Sequence, residues 1–107
     1  LDSMPADVDA VFATDDLTAA AVLEWARARG RRVPEDFKVV GFDGTSAVRR
    51  ALPNLTTIQQ PIADLAAQAV DVLLRQISAS RESGDPHSPE FAAPAPLPVK
   101  LLVGVTS

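Results

Sequence analysis

Short apolar runs alternate along this chain with longer stretches of helix-forming residues. Residues 9–14 and 37–42 are short and apolar, which predicts two buried strands. Between them, the alanine- and leucine-rich segment that starts at Asp16 predicts a helix, and Gly30 marks its end. Because parallel strands are joined by a crossover helix, the two strands should lie parallel in one sheet.

The second half of the chain predicts a turn, a third strand, a long helix, a loop and a last strand. Residues 45–52 predict one or two helical turns, residues 55–59 a strand, and residues 61–80 the helix. The inward face of this helix is predicted to contain Ile62, Leu65, Ala66, Ala69, Val70, Leu73 and Ile77. Residues 81–96 are rich in Pro, Ser and Gly and predict a loop, and residues 97–105 predict the closing strand. This order favours an α/β fold with a largely parallel sheet.

Both predicted parallel strands lead into carboxylates. Asp15 follows the first strand and Asp43 follows the second, and ligands bind outside the carboxyl ends of such strands, so the two side chains should share one rim. Either Asp15 or the adjacent Asp16 should cap the following helix. The pair Asp43-Gly44 is also typical of a turn in which the Asp bonds its own backbone. The residues alone leave the binding site and the turn as alternatives.

Composition limits the classes of protein that fit. A net charge of −4 and a pI near 4.8 make the chain poorly suited to bind a polyanionic backbone. The absence of cysteine excludes disulfides and thiolate metal sites. No apolar run approaches the ~20 residues that span a bilayer, so we expect no membrane partner. The sequence begins at Leu1 rather than at Met, which is consistent with a piece of a longer protein.

Motifs for hydrolase or transferase chemistry are missing from the sequence. It contains no Gly-x-Ser-x-Gly, no Gly-rich phosphate loop, no pair of histidines and no cysteine nucleophile. The single histidine, His87, lies in the polar loop, where we expect neither metal binding nor catalysis. The sequence therefore predicts neither an enzyme nor a cofactor.

Several segments resemble one family in the same order along the chain. Residues 11–19 resemble the strand-to-helix entry of the LacI/GalR family of bacterial transcriptional regulators. Residues 30–36 and 39–43 resemble the loop and strand that follow in that family, and residues 55–61 resemble its crossover segment. The long helix and the strand that begins at residues 97–99 complete the pattern.

The resemblance implies the C-terminal part of an effector-binding domain built like a periplasmic sugar-binding protein (type I), with two α/β lobes and the ligand between them. Residues 1–58 would belong to the C-terminal lobe, residues 59–95 to the N-terminal lobe, and residues 96–107 to a closing strand that returns to the C-terminal lobe. It also implies a cytoplasmic homodimer that senses a small molecule, most simply a sugar. The helix-turn-helix that binds operator DNA in this family lies upstream and is absent from this chain.

The resemblance implies effector contacts from Asp15, Asp43 and Ile62, and it leaves Asp16 as the helix cap because the family places its ligand contact at the first residue of that pair. Burial in the helix core is an alternative for Ile62. Asp15 stands where the family often has Asn, which leaves the identity of the effector open.

Two further departures and a predicted interface complete the resemblance. Gly44 stands where the family often has Asp or Asn, and Gly104 where it often has Arg. Val22 and Trp25 lie on the helix that helps to form the dimer interface in the family. Burial against the chain's own loop is the alternative for Trp25.

Two other functions remain as alternatives. One is a periplasmic solute-binding protein of a transport system, which the sequence upstream of this chain would distinguish. The other is a Mg²⁺-dependent receiver-like domain, because Asp15, Asp16 and Asp43 could bind a hard cation. Against it, no Met-Pro pair follows Asp43, and Lys100 lies within the last predicted strand. We also expect bare strand edges and association between copies of the chain.

Overall fold

The order of helices and strands is the one that the sequence predicts. The computed structural model describes residues 4–5, 7–83 and 94–107. Its elements are β1 (Ala10–Phe12), α1 (Asp16–Ala28), β2 (Lys38–Asp43), α2 (Ser46–Ala51), β3 (Thr56–Gln59), α3 (Ile62–Ser83) and β4 (Lys100–Leu102). The helix α3 extends three residues past its predicted end, and much of the predicted loop, with His87, lies outside the described residues.

The four strands form one sheet in the order β1-β2-β3-β4. The pairs β1–β2 and β2–β3 are parallel, with Val11 opposite Val39 and Phe42 opposite Ile58. The last strand, β4, pairs antiparallel with β3 and is shorter than the predicted strand over residues 97–105. The α/β class and the parallel-dominated sheet are therefore confirmed, and β1 and β4 form the edges among the described strands. Association through those edges stays a prediction.

The helix α1 covers one face of the sheet with a stripe of small apolar side chains. Ala19, Val22 and Ala26 recur at helical spacing and are at most 1% exposed. They pack in a core with Ala13, Phe37, Val39 and Leu55. Val22, which the resemblance assigns to a dimer interface, therefore has almost no surface to offer a second chain. Its interface role stays a prediction that its burial does not support.

The described residues divide into two compact units, residues 1–60 with 99–107 and residues 61–98. The second unit consists mainly of α3, whose large apolar side chains Ile62, Leu65, Val70, Leu73, Leu74 and Ile77 are 41–58% exposed. The prediction that this face packs inward is wrong for this chain. The reason is that the described part of the unit contains no second helix or strand to cover it. The assignment of the two segments to lobes stays a prediction.

Large apolar side chains on the opposite face of the sheet are exposed. Phe12 is 63% exposed and Leu101 is 57% exposed. Phe12 meets Phe42 edge to face, with ring centroids 6.3 Å apart. Among the described helices, none combines the length and the apolar character needed to cross a membrane.

Candidate functional site

The carboxyl ends of β1, β2 and β3 bring a cluster of polar residues to one rim of the sheet. Asp15 and Asp16 follow β1, Asp43 ends β2, and Gln59 ends β3 opposite Asp43. Because β1, β2 and β3 are parallel, these ends lie on the same side, where α/β sheets bind ligands.

Asp15 is the N-cap of α1. Its backbone is extended (φ −156°, ψ 168°), and its Oδ1 accepts a 2.7 Å hydrogen bond from the Thr18 N–H. Its Oδ2 accepts hydrogen bonds from the hydroxyls of Thr18 at 2.9 Å and Thr14 at 3.1 Å. The bonds from Thr18, first of all from its backbone N–H, lower the pKa of Asp15 below 3.8. The expectation that Asp16 caps the helix is wrong, because Asp16 is already inside it and only Asp15 has the extended backbone of a cap. An effector contact by Asp15 stays a prediction.

Asp16 is buried, with 1% of its surface exposed. Its Oδ2 accepts a 2.9 Å hydrogen bond from the Gly44 N–H, and its Oδ1 accepts one from the Thr57 hydroxyl on β3. The side chain passes over β2 at Gly41, where a Cβ would collide with Oδ1. Asp16 therefore connects the start of α1 to the ends of two strands.

Asp43 has a positive φ of 116°, a conformation that residues other than glycine rarely adopt. Its carbonyl accepts a 3.1 Å hydrogen bond from the Gln60 N–H, and its Oδ1 accepts a 2.7 Å bond from Gln60 Nε2. Its Oδ2 accepts no hydrogen bond from the described residues, and the side chain is half-buried. Asp43 therefore has one fixed oxygen and one that is free to accept a donor from a ligand.

Gly44 is required where β2 ends. It also has a positive φ of 61°, and a Cβ there would lie 2.7 Å from the Cα of Gln59. The Gly44 carbonyl accepts a 3.4 Å bond from Gln59 Nε2. The Asp-Gly turn and the site are thus compatible, because the side chain of Asp43 bonds Gln60 rather than its own backbone.

Sequence reasoning missed the roles of Asp16 and Gln60. The side chain of Gln60 holds the Asp43 carboxylate. The available signal was its place directly after β3, at the same rim as Asp43. For Asp16 the signal was Gly41 in the middle of an apolar strand, because such a glycine often marks a close approach by another group.

The remaining predicted site residues lie away from these contacts or in the other unit. Ile62 begins α3 in the second unit and is 54% exposed, and its effector contact stays a prediction. Trp25 is half-buried, with its ring centroid 5.7 Å from that of Phe37 and the Arg29 guanidinium 4.7 Å from its own. The packing on Phe37 agrees with burial against the chain's own loop, and an interface role for Trp25 stays a prediction.

The geometry gives no support to a receiver-like metal site. Across residues 4–5, 7–83 and 94–107, no three or more His, Cys, Asp or Glu side chains are grouped as a metal ion would need. Asp16 is enclosed by Gly44 and Thr57, and its two oxygens already accept hydrogen bonds from them.

A largely parallel sheet with polar side chains at its carboxyl rim is the architecture of α/β domains that bind ligands at that rim. Residues 1–98 match the family of periplasmic binding protein-like domains, and the chain belongs to that family.

Its relatives include sugar-operon repressors and LacI-type regulators. The chain is 36% identical over 100 residues to the ribose operon repressor of Halalkalibacterium halodurans, covering 94% of this chain and 28% of the repressor. The structure of a transcriptional regulator CelR–cellobiose complex is similar with a TM-score of 0.71 and 35% identity, covering 94% of this chain and 28% of that one. A LacI transcriptional regulator from a Rhodococcus species gives a TM-score of 0.70 and 34% identity, covering 100% and 36%.

These relatives confirm the resemblance to the LacI/GalR family that the motifs indicate. The chain spans about a third or less of their lengths. None of the three is named as a transport protein, so the transport alternative finds no counterpart among them.

Proposed function

We propose that this chain is the effector-binding and dimerisation portion of a LacI/GalR-like transcriptional regulator. It senses a small molecule, a sugar, and thereby controls DNA binding by a helix-turn-helix that lies outside these residues, in the cytoplasm. The observation that carries the proposal is the fixed carboxylate of Asp43, whose Oδ2 is free at the carboxyl rim of a parallel sheet. The ribose and cellobiose in the names of the similar regulators support a sugar as the ligand class.

The chemistry of Asp43 suits a sugar hydroxyl. An ionised carboxylate accepts hydrogen bonds only, and a sugar presents several O–H donors on one ring. Gln60 Nε2 donates a 2.7 Å hydrogen bond to Oδ1 and so holds the Asp43 side chain in one rotamer. The position of Oδ2 is therefore fixed before the ligand binds. A fixed acceptor loses less entropy on binding than a mobile one.

Effector binding changes the affinity for DNA only if the effector has different affinities for two conformations of the regulator. The effector must bind one arrangement of the regulator more tightly than the other, and that difference sets how far the affinity for DNA changes. The similar proteins are regulators of transcription rather than enzymes, and the proposal assigns no catalytic step to this chain.

Calorimetric titration of the complete regulator with ribose, cellobiose, sucrose and lactose tests the proposal, with Asp43→Asn as the variant. Asn tolerates a positive φ and keeps an oxygen for Gln60, but it replaces the free acceptor with an N–H donor. Loss of one charge-assisted bond of about 1.5–3 kcal/mol predicts roughly a tenfold to hundredfold loss of affinity.

Asp36→Asn is the matched control for this titration. Asp36 is an exposed carboxylate held by Arg32 before the amino end of β2, away from the rim, and its loss should leave affinity unchanged. Absence of binding across the panel, or equal affinity of Asp43→Asn and the unaltered protein, would contradict the proposal.

A further inference from the structure

The carboxylate of Asp16 has no part in the ligand contact proposed above, and it does not cap α1. Burying a carboxylate is unfavourable unless hydrogen bonds replace its hydration. Both oxygens of Asp16 have such partners, one on the turn after β2 and one on β3. The first of these partners lies directly beside the candidate ligand residue.

We propose that Asp16 is a positioning residue for effector binding: it holds the peptide between Asp43 and Gly44 and so keeps Asp43 in its ligand-accepting conformation. This inference rests on the proposed function. Asp16 itself does not touch the effector.

The peptide that joins Asp43 to Gly44 is held at both of its polar ends. Its N–H donates to Asp16 Oδ2 at 2.9 Å, and its carbonyl accepts from the Gln60 N–H at 3.1 Å. The orientation of this peptide sets ψ of Asp43 and φ of Gly44. The two hydrogen bonds therefore fix the backbone on which the Asp43 carboxylate is mounted.

Asp43 needs this support because its own backbone conformation is unfavourable. A residue other than glycine in a sparsely populated region is strained and persists only when its surroundings over-determine it. Asp43 has φ 116°, and Gly44 directly follows it with φ 61°. Without Asp16, the backbone of the turn retains hydrogen bonds only to its carbonyl oxygens. These bonds come from the Gln60 N–H to Asp43 and from Gln59 Nε2 to Gly44.

Asp16 is itself held in place, which is what a positioning residue requires. The Thr57 hydroxyl fixes its Oδ1, and the absence of a side chain at Gly41 leaves the space through which the carboxylate reaches the turn. The helix start is fixed separately by Asp15, so Asp16 is not needed as a cap. The three strands β1, β2 and β3 are thus connected at the rim through one side chain.

Three variants separate positioning from a merely structural role. Asp16→Ala removes the acceptor from the Gly44 N–H. Val39→Ala leaves a cavity in the core of the first unit but keeps both hydrogen bonds of Asp16, so it is the control for lost stability. Asp16→Asn is the rescue, because its amide oxygen can accept from Gly44 while its N–H donates to the Thr57 hydroxyl. Asp16→Ser, whose hydroxyl is too short to reach Gly44, replaces the alanine variant if that variant does not fold.

The experiment measures sugar affinity by calorimetry and amide hydrogen exchange at Gly44 in the complete regulator, with the sugar that binds best among ribose, cellobiose, sucrose and lactose. In Asp16→Ala we expect faster exchange at Gly44 and roughly a tenfold loss of affinity, because the competent conformation becomes a minor one. Val39→Ala should lower the unfolding midpoint but keep Gly44 protected and affinity within about threefold. Asp16→Asn should restore both protection and affinity.

The outcomes distinguish this inference from the function on which it rests. Unchanged affinity in Asp16→Ala, while Asp43→Asn weakens binding, would overturn the positioning role and leave the proposed function standing. Equal losses of affinity in Asp16→Ala and Val39→Ala would reduce Asp16 to a structural residue and overturn the positioning role as well. Absence of sugar binding by the unaltered protein would overturn both.

Discussion

Replacing Gly41 with alanine should destabilise the first unit through one specific collision. The added Cβ would overlap Asp16 Oδ1 and would also lie 3.2 Å from Leu55 Cδ2 and 3.3 Å from Ala19 Cβ. The two apolar neighbours are tight contacts that a small shift can relieve. The carboxylate cannot move so easily, because hydrogen bonds to Gly44 and Thr57 hold both of its oxygens.

The loss of stability has two sources, the overpacking around the new Cβ and the hydrogen bond that Asp16 loses when its carboxylate moves. Overpacking a filled site costs about 1–3 kcal/mol, and leaving a buried donor without its acceptor costs about 1–3 kcal/mol. The lower entropy of alanine in the unfolded chain returns about 0.5–1 kcal/mol. We therefore expect Gly41→Ala to lower the free energy of unfolding by about 3 kcal/mol.

Urea unfolding followed by the fluorescence of Trp25, the one tryptophan of the sequence, measures this change. A double-mutant cycle with Asp16→Ala isolates the collision, because alanine at position 16 vacates the space. Gly41→Ala should then cost less than about 1 kcal/mol, which gives a coupling of about 2 kcal/mol. The matched control is Gly30→Ala, where nothing lies within 4 Å of the added Cβ and the penalty comes from φ 69° alone. Its effect should be the same in both backgrounds, and additivity of Gly41→Ala with Asp16→Ala would refute the reasoning.

Four further predictions concern Asp15, Asp36 and Gly44. Asp15→Ala should lower the midpoint of thermal unfolding, whereas Asp15→Asn should keep it, because the Asn side chain also accepts a hydrogen bond from the Thr18 N–H. Equal losses in the two variants would contradict the capping role. The lowered pKa of Asp15 means that its stabilisation is complete above pH ~4 and is lost as the pH falls through the lower folded-state value. Acid unfolding of the unaltered protein and of Asp15→Ala should show this loss as a shrinking difference in stability. Hydrogen bonds from Arg32 lower the pKa of Asp36 to about 2, and its carboxyl resonance should titrate near that value by NMR. Arg32→Gln should return the pKa of Asp36 toward 3.8. A titration midpoint near 3.8 in the unaltered protein would contradict the ion pair. Gly44→Ala should reduce both stability and sugar affinity, because the Cβ would lie 2.7 Å from backbone that cannot move aside, and unchanged calorimetric affinity would contradict the described turn.

The local elements of this fold could be predicted from the sequence because their signals are local. The end of α1 at Gly30 follows from a glycine that tolerates a positive φ after a helix-forming segment, and the structure gives it φ 69°. The parallel pairing of β1 and β2 follows from the helix between them. The first signal is a single residue, and the second is the segment of chain between the two strands.

The division of roles between Asp15 and Asp16 could not be predicted in this way. Both are carboxylates at a helix start, and only the contacts of Asp16 with residues 28 and 41 positions away distinguish them. Neighbouring residue types do not report such long-range contacts.

Periodicity also identifies an apolar face without identifying what covers it. The apolar stripe of α1 contains Val22, and the structure places that side chain in the chain's own core. The stripe of α3 contains Leu73, which remains 55% exposed here. The two helices show the same kind of pattern, and only the presence of a packing partner within the described residues separates them.

The capping of α1 by Asp15 has a consequence for how such receptors diversify. Asn and Asp begin a helix about equally well, so this position can exchange a negative charge for a neutral amide with little effect on folding. The charge at the carboxyl rim of the sheet can therefore change by substitution at this position while the protein stays folded. New ligand preferences could in this way arise by a single substitution that natural selection for a folded protein does not oppose.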